Sequence, residues 1–518
     1  MSGHPGRRVL LIGLDSADAE LIEGWMADGH MPNFARLRRE GTWGRLGTTA
    51  EVMHVSAWQS LYTGTNPGQH GMYHAYQIRA GEQDIHRTLP ERAGRPPFWK
   101  HLDDAGRKCI VFDAFMDYPL PGYKGVQLLE YGTWTWFGEP GSSPPGMLSD
   151  IKRRFGPYPA PEHSNLVKVP DAPLAFRDQL VAGTQVKSRI VRSLMSEHDW
   201  DFLFVTFGEP HGAGHYLWHL DDHGYPVHPS SGALANVRPV RDVYTAVDRA
   251  IGEIADAADD RTTILITSGD GMGPNTSGCH LMPEMLHRMD WFHSRSVGGG
   301  SGKAAPPPKK GLLSTLRQAV PLGWRQSVTR CLPRSVKYKL SMKWVNSGID
   351  WSRSRLFCIP NSNEGYFRVN LAGREPRGIV TAGAEYADLL GQLQSELKQL
   401  VNPVNGVRVA DRVLAMDEVY PGPRRQDLPD AVINWNAAAG VISQLQGPAS
   451  GHIDKGPGYA ISPFYTGNHR PCAFVLGRGP TLAAGSALDG GHILDIAPTV
   501  LSALGVDVPA HFEGRAWQ

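Results

Sequence analysis

Residues 8–15 read Arg-Val-Leu-Leu-Ile-Gly-Leu-Asp, and no other stretch constrains the fold as much. Residues 9–12 form a short apolar run without alternation, the pattern of a strand buried on both faces. Gly13 interrupts the run and Asp15 ends the stretch, so a carboxylate is delivered at the strand's carboxyl end. Two later stretches repeat this design. The apolar run 202–207 leads into Gly-Glu-Pro-His-Gly-Ala-Gly-His, ending at His215, and the run 263–267 leads into Ser-Gly-Asp-Gly-Met-Gly, which contains Asp270. In open α/β sheets ligands gather outside the carboxyl ends of the strands. The three ends are therefore expected to converge on one metal site.

Between these runs the pattern turns helical, at residues 17–27, 33–40, 96–105, 174–197 and 238–258. Strands alternating with helices predict an α/β fold with a central, mostly parallel sheet flanked by helices. Residues 138–170 are rich in Pro and Gly and read as a surface excursion. Residues 296–310 break the composition with Gly-Gly-Gly, Pro-Pro-Pro and Lys-Lys, and residues 291–349 contain no Asp or Glu. The expected organisation is a catalytic domain begun by residues 1–290, a basic, partly disordered insertion or lid at 291–349, and the remainder of the domain at 350–518. The insertion also suits contact with an anionic surface.

The net charge of +1 provides no global field for duplex nucleic acid. Five scattered cysteines, an odd number, argue against a disulfide framework. The apolar run after Arg8 is too short for a secretory segment, and no stretch approaches the ~20 apolar residues of a membrane span. The expectation is a cytoplasmic protein without a transmembrane segment.

Several side chains can carry chemistry. His211 and His215 are four apart, so on a helix they share a face and can bind one metal. His469 lies in a polar loop before the run 472–476 and is either a third nitrogen ligand or a surface histidine. Asp270 lies between two glycines, where backbone can approach a ligand closely; the alternative is a turn aspartate. His54-Val55-Ser56 leads into a helix predicted over 56–62, in which Ser56-Ala57-Trp58-Gln59 matches a capping box. A helix N-terminus favours phosphate, and a hydroxyl there beside a metal would be an activated nucleophile. Ser56 is then either that nucleophile or an N-cap only.

Four stretches resemble the alkaline phosphatase superfamily, on its type I phosphodiesterase/nucleotide pyrophosphatase branch. They are Val9 to Asp15, Ala57 to Gly71, Gly467-Asn468-His469-Arg470, and Asp495 to Leu501 with Gly505-Val506 and Gly514-Arg515. Gly373-Arg374-Glu375-Pro376 is similar to a bacterial subgroup of that branch. The resemblance implies an alkaline phosphatase-like sandwich and two divalent metal ions, zinc first with manganese as the alternative. The pair would clamp the oxygens of an in-line displacement at phosphorus in a small phosphorylated substrate. It also implies a Thr or Ser nucleophile at a helix N-terminus. Asp15 matches the first metal aspartate, and His215 and His469 match two histidines of the other metal.

Three positions depart from the pattern. His211 stands where the family usually has Asp, Gly269-Asp270 replaces Asp-His, and the usual Thr falls on His54, with Ser56 two residues later. The expected metal ligands are Asp15, His211, His215, Asp270 and His469. Ser56 and His54 are the candidate catalytic residues, Ser56 slightly favoured, and His54 is alternatively a ligand. The expected activity is metal-dependent hydrolysis of phosphate esters, most of all phosphodiester or pyrophosphate bonds. The alternative is a degraded relative that binds an anion or a partner. A sulfatase relation is discounted, because Cys331-Leu332-Pro333-Arg334 has its arginine one residue too early.

Overall fold

The computed structural model describes all residues except 1–6, 88–89, 133–139, 162–170, 295–333, 455–464, 481, 483, 489 and 518. An eight-stranded sheet forms its centre. The order is Thr42–Leu46, Ala473–Arg478, Thr262–Ser268, Arg8–Leu14, Phe202–Phe207, Cys109–Phe112, Val126–Leu129 and Gly141–Ser143. The strands from Thr262–Ser268 through Val126–Leu129 run parallel, while Ala473–Arg478 and Gly141–Ser143 run antiparallel to their inner neighbours.

The strand Arg8–Leu14 is buried on both faces, as its unbroken apolar run predicts. Leu10, Ile12 and Leu14 pack in one core with the helices Pro173–Glu197, Glu209–Asp221 and Pro239–Asp256. Val9 and Leu11 face the other way, into a core shared with Ser56–Thr63, Phe98–Asp104 and Ile496–Ala503. The alternation of the pleat thus divides one apolar run between two helical layers.

The stretch read as a surface excursion is instead partly built into the fold. Gly141–Ser143 adds an edge strand, and the helix Met147–Phe155 buries Leu148 and Ile151, three apart on one face, against the first core. The glycines and prolines bound these short elements and obscure them in the sequence.

A second sheet has its own core. Leu356–Ile359, Gly365–Val369, Ala431–Trp435 and Ala410–Ala415 pair antiparallel in that order. The helix Ala384–Gln399 contributes Leu389, Leu393 and Leu397 to this core, and Val52, Met53 and Tyr73 join it from far upstream. Gly373-Arg374-Glu375-Pro376 finds its place here. Arg374 grips Asp430 through two guanidinium nitrogens at 2.6 and 2.8 Å, and Arg368 Nε donates to Glu375 at 2.8 Å.

Residues 295–333, most of the basic insertion, lie outside the described residues. Its end forms a helix, Arg334–Ser347. Met342 enters the second core, and Asn346 exchanges hydrogen bonds with the Ile85 backbone at 2.7 and 2.8 Å. Among the described residues, no helix is long and apolar enough to cross a membrane.

Candidate active site

The strand ends converge. Asp15 follows Arg8–Leu14, its backbone N–H bonded to the Phe207 carbonyl at 2.9 Å, so the first two ends are tied together. His211 and His215 occupy the opening turns of the helix Glu209–Asp221, directly after Phe202–Phe207. Asp270 follows Thr262–Ser268. The strand Gly467–Arg470 supplies His469 and pairs with Gly271–Pro274 beside Asp270. Its close passage past the histidine helix requires Gly467, because a Cβ there would lie 2.3 Å from the Gly214 carbonyl oxygen. Arg470 anchors the strand through two hydrogen bonds of 2.6 Å to Asp18, which also caps the helix Ala19–Ala27.

His211, His215 and His469 bring one ligating atom each within 4.8 Å of one another. His211 Nδ1 lies 2.8 Å from Asp15 Oδ2, and His469 Nδ1 lies 2.7 Å from Asp270 Oδ2. His215 Nδ1 donates to the Gly467 carbonyl at 3.0 Å, which makes Nε2 the nitrogen that would ligate a metal. Trp58 Nε1 donates to Asp15 Oδ1 at 2.7 Å. Ser16, held in the left-handed region at φ 52°, places Oγ 3.1 Å from His469 Nδ1. Tyr465 stacks on His215 with ring centroids 4.1 Å apart.

The electrostatics suit a bound cation. Burial and the neighbouring Asp15 carboxylate push Asp270 well above the usual carboxylate range. Burial and the surrounding histidines hold His469 well below the usual imidazole range, in the neutral form that metals bind. Two buried carboxylates and three clustered imidazoles fit a divalent metal of the zinc or manganese type, which would relieve the repulsion between Asp15 and Asp270.

One cleft contains all of these groups. Its empty space, open solvent at the mouth included, is about 760 Å³. Asp15, His54, His211, His215, Asp270 and His469 line it, with Val55, Trp58, Phe115 and Met116 as an apolar wall.

Ser56 is not among them. It is the first residue of the helix Ser56–Thr63, with Val55 in the cap position and no capping box. Its hydroxyl is fully buried, donates to the Met53 carbonyl at 2.6 Å and lies 2.9 Å from Thr49 Oγ1. The expected hydroxyl nucleophile is therefore turned into the protein. The expected anion site at this helix start is also closed at its first amides, since Ser56 and Ala57 donate to the carbonyls of Met53 and His54 at 3.0 and 3.1 Å.

His54 does line the cleft, stacked on His469 with centroids 4.1 Å apart. Glu364, from the turn between two strands of the second sheet, bonds its Nδ1 at 2.7 Å and its backbone N–H at 3.0 Å. Sequence reasoning missed Glu364, Trp58 and Ser16. Trp58 and Ser16 stand inside the motifs that mark the site, but Glu364 sits in an ordinary polar turn 310 residues from His54.

The description "Type I phosphodiesterase / nucleotide pyrophosphatase" matches residues 9–334, more than half of the chain. Comparison with curated proteins returned no match. Among solved structures, phosphonoacetate hydrolase from Sinorhizobium meliloti 1021 aligns with a TM-score of 0.50 at 12% identity over 97% of both chains. Murine ectonucleotide pyrophosphatase / phosphodiesterase 5 aligns with a TM-score of 0.45 at 12% identity, over 98% of this chain and 97% of its own. At such identity the first likeness bears on the fold, a central sheet of the alkaline phosphatase kind. Strand ends, cleft and sequence match agree: the chain belongs to the type I phosphodiesterase/nucleotide pyrophosphatase family of the alkaline phosphatase superfamily.

Proposed function

We propose that this protein is a metal-dependent hydrolase of phosphate esters, acting on phosphodiester or pyrophosphate bonds at a site for two divalent ions. Family membership supports the coarser reading, a phosphoester hydrolase. The observation that carries the finer one is the donor set. His211, His215 and His469 would hold one ion, with Asp15 and Asp270 the carboxylates available to the other.

When bound, the ions supply charge neutralisation at the phosphoryl oxygens and a water of lowered pKa. The chain's own residues do the rest. Asp15 is oriented by the Trp58 indole, and His215 by the Gly467 carbonyl, so the ligating atoms are fixed before substrate arrives. The apolar wall of Val55, Trp58, Phe115 and Met116 excludes water and offers a surface for an apolar or aromatic leaving group.

Hydrolysis of bis(4-nitrophenyl) phosphate by protein supplied with Zn²⁺ or Mn²⁺ tests the reading. Turnover that a chelator abolishes and metal restores is expected. No turnover at any divalent metal across the pH range would contradict it and favour an anion-binding protein on a hydrolase scaffold.

A further inference from the structure

We propose that His54 Nε2 is the atom that attacks phosphorus, and that Glu364 is the positioning residue that aims it; the inference rests on the hydrolase reading above. His54 lines the cleft and Glu364 does not. The two therefore meet behind the cleft wall, where Glu364 takes Nδ1 at 2.7 Å. Asn363 Nδ2 also lies 3.1 Å from Nδ1, but the carboxylate is closer and can only accept, so Nδ1 carries the proton and Nε2 keeps its lone pair on the cleft side.

Glu364 is itself fixed. It is 3% exposed, accepts from Tyr366 Oη at 3.0 Å and from Asn363 Nδ2 at 3.1 Å, and holds the His54 backbone N–H with its other oxygen. The imidazole is thus gripped at one edge by Glu364 and on one face by His469, the residue assigned to the metal. The serine that would compete for the role has its hydroxyl spent on Met53 and Thr49.

The chemistry balances. The Nε2 lone pair forms a bond to phosphorus as the bond from phosphorus to the leaving oxygen breaks, and that oxygen takes a proton from solvent. Nδ1 keeps its proton, so the ring is positively charged while the N–P bond lasts, and the Glu364 carboxylate faces that charge. Water then attacks the same phosphorus, the N–P electron pair returns to Nε2, and the water's proton passes to solvent.

The design also joins the two parts of the molecule. Met53 belongs to the core of the second sheet, whereas Ala57 and Trp58 belong to the core of the central sheet. His54 stands at this junction, and the second sheet supplies the carboxylate that orients it.

The test is rapid quenching at alkaline pH during turnover of bis(4-nitrophenyl) phosphate, followed by peptide mass spectrometry. An acid-labile, alkali-stable 4-nitrophenylphosphoryl group on His54 is expected, and none in His54→Gln. Glu364→Gln keeps the volume and an acceptor for Nδ1–H but removes the charge. It is expected to form the adduct about 100-fold more slowly, with KM and metal content unchanged. Wild-type turnover without a label on His54, or Glu364→Gln labelled as fast as wild type, would overturn the proposal and leave the hydrolase reading standing. Absence of wild-type turnover at every metal would defeat both.

Discussion

Two buried clusters of charge differ in how they are satisfied. In the second sheet, Arg374 faces Asp430 in a two-nitrogen grip and Arg368 faces Glu375. Burial acts to raise the Asp430 pKa, but the Arg374 guanidinium outweighs it and the carboxyl is held below its usual range. At the strand ends of the central sheet, Asp15 lies against the His211 imidazole and Asp270 against the His469 imidazole, and Asp270 is pushed well above the usual range. The first cluster is complete within the chain and serves the fold. In the second, two buried carboxylates press on each other beneath a cleft, an arrangement that suits a cation.

The comparison can be broken by removing one carboxylate from each cluster. Asp15→Ala should abolish turnover while leaving the metal-free protein as stable as wild type or more so, because a like charge next to Asp270 is gone. Asp430→Ala should instead cost about 3–5 kcal/mol of stability, since it strands the Arg374 guanidinium in the interior. Turnover assays and denaturant unfolding of metal-free protein check both; a large stability loss from Asp15→Ala would contradict the division of roles.

A third buried carboxylate sharpens the contrast. Among the described residues, Asp117 has neither a metal-site histidine nor an arginine as partner, and it accepts from Gln127 Nε2 at 2.7 Å. Burial outweighs the hydrogen bonds from Gln127 and Tyr118 and raises its pKa to about 7. The folded protein then holds a proton that the unfolded chain releases. The stability contribution is full below the unfolded pKa near 3.8 and is lost as pH rises toward about 7. Asp117→Asn should flatten this fall in Tm between about pH 4 and pH 7. An unchanged slope would mean that Asp117 is not the group responsible.

The legible part of the site was the part that follows uninterrupted apolar runs. Asp15, the His211–His215 pair and Asp270 each stand within a few residues of a strand end, and strand ends in an α/β sheet converge by topology. His469 was harder, because nothing in a polar loop says that it will pair with residues beside Asp270. Ser56 misled for a local reason: a serine opening a helix reads as a cap, yet its hydroxyl folds back onto the Met53 carbonyl. Glu364 left no local trace, since its meaning lies in a contact that only the packing of two cores creates. The same holds for the second sheet. Its strands at 356–359, 365–369 and 431–435 are evident as apolar runs, but their pairing into a separate antiparallel sheet is not.

The most direct test of the central claim, that the strand-end cluster is a metal centre, is elemental analysis of protein purified without chelators. The account predicts about two equivalents of zinc or manganese per chain, lost in the His215→Ala variant. A chain that carries no divalent metal, even after metal is added back, would contradict it.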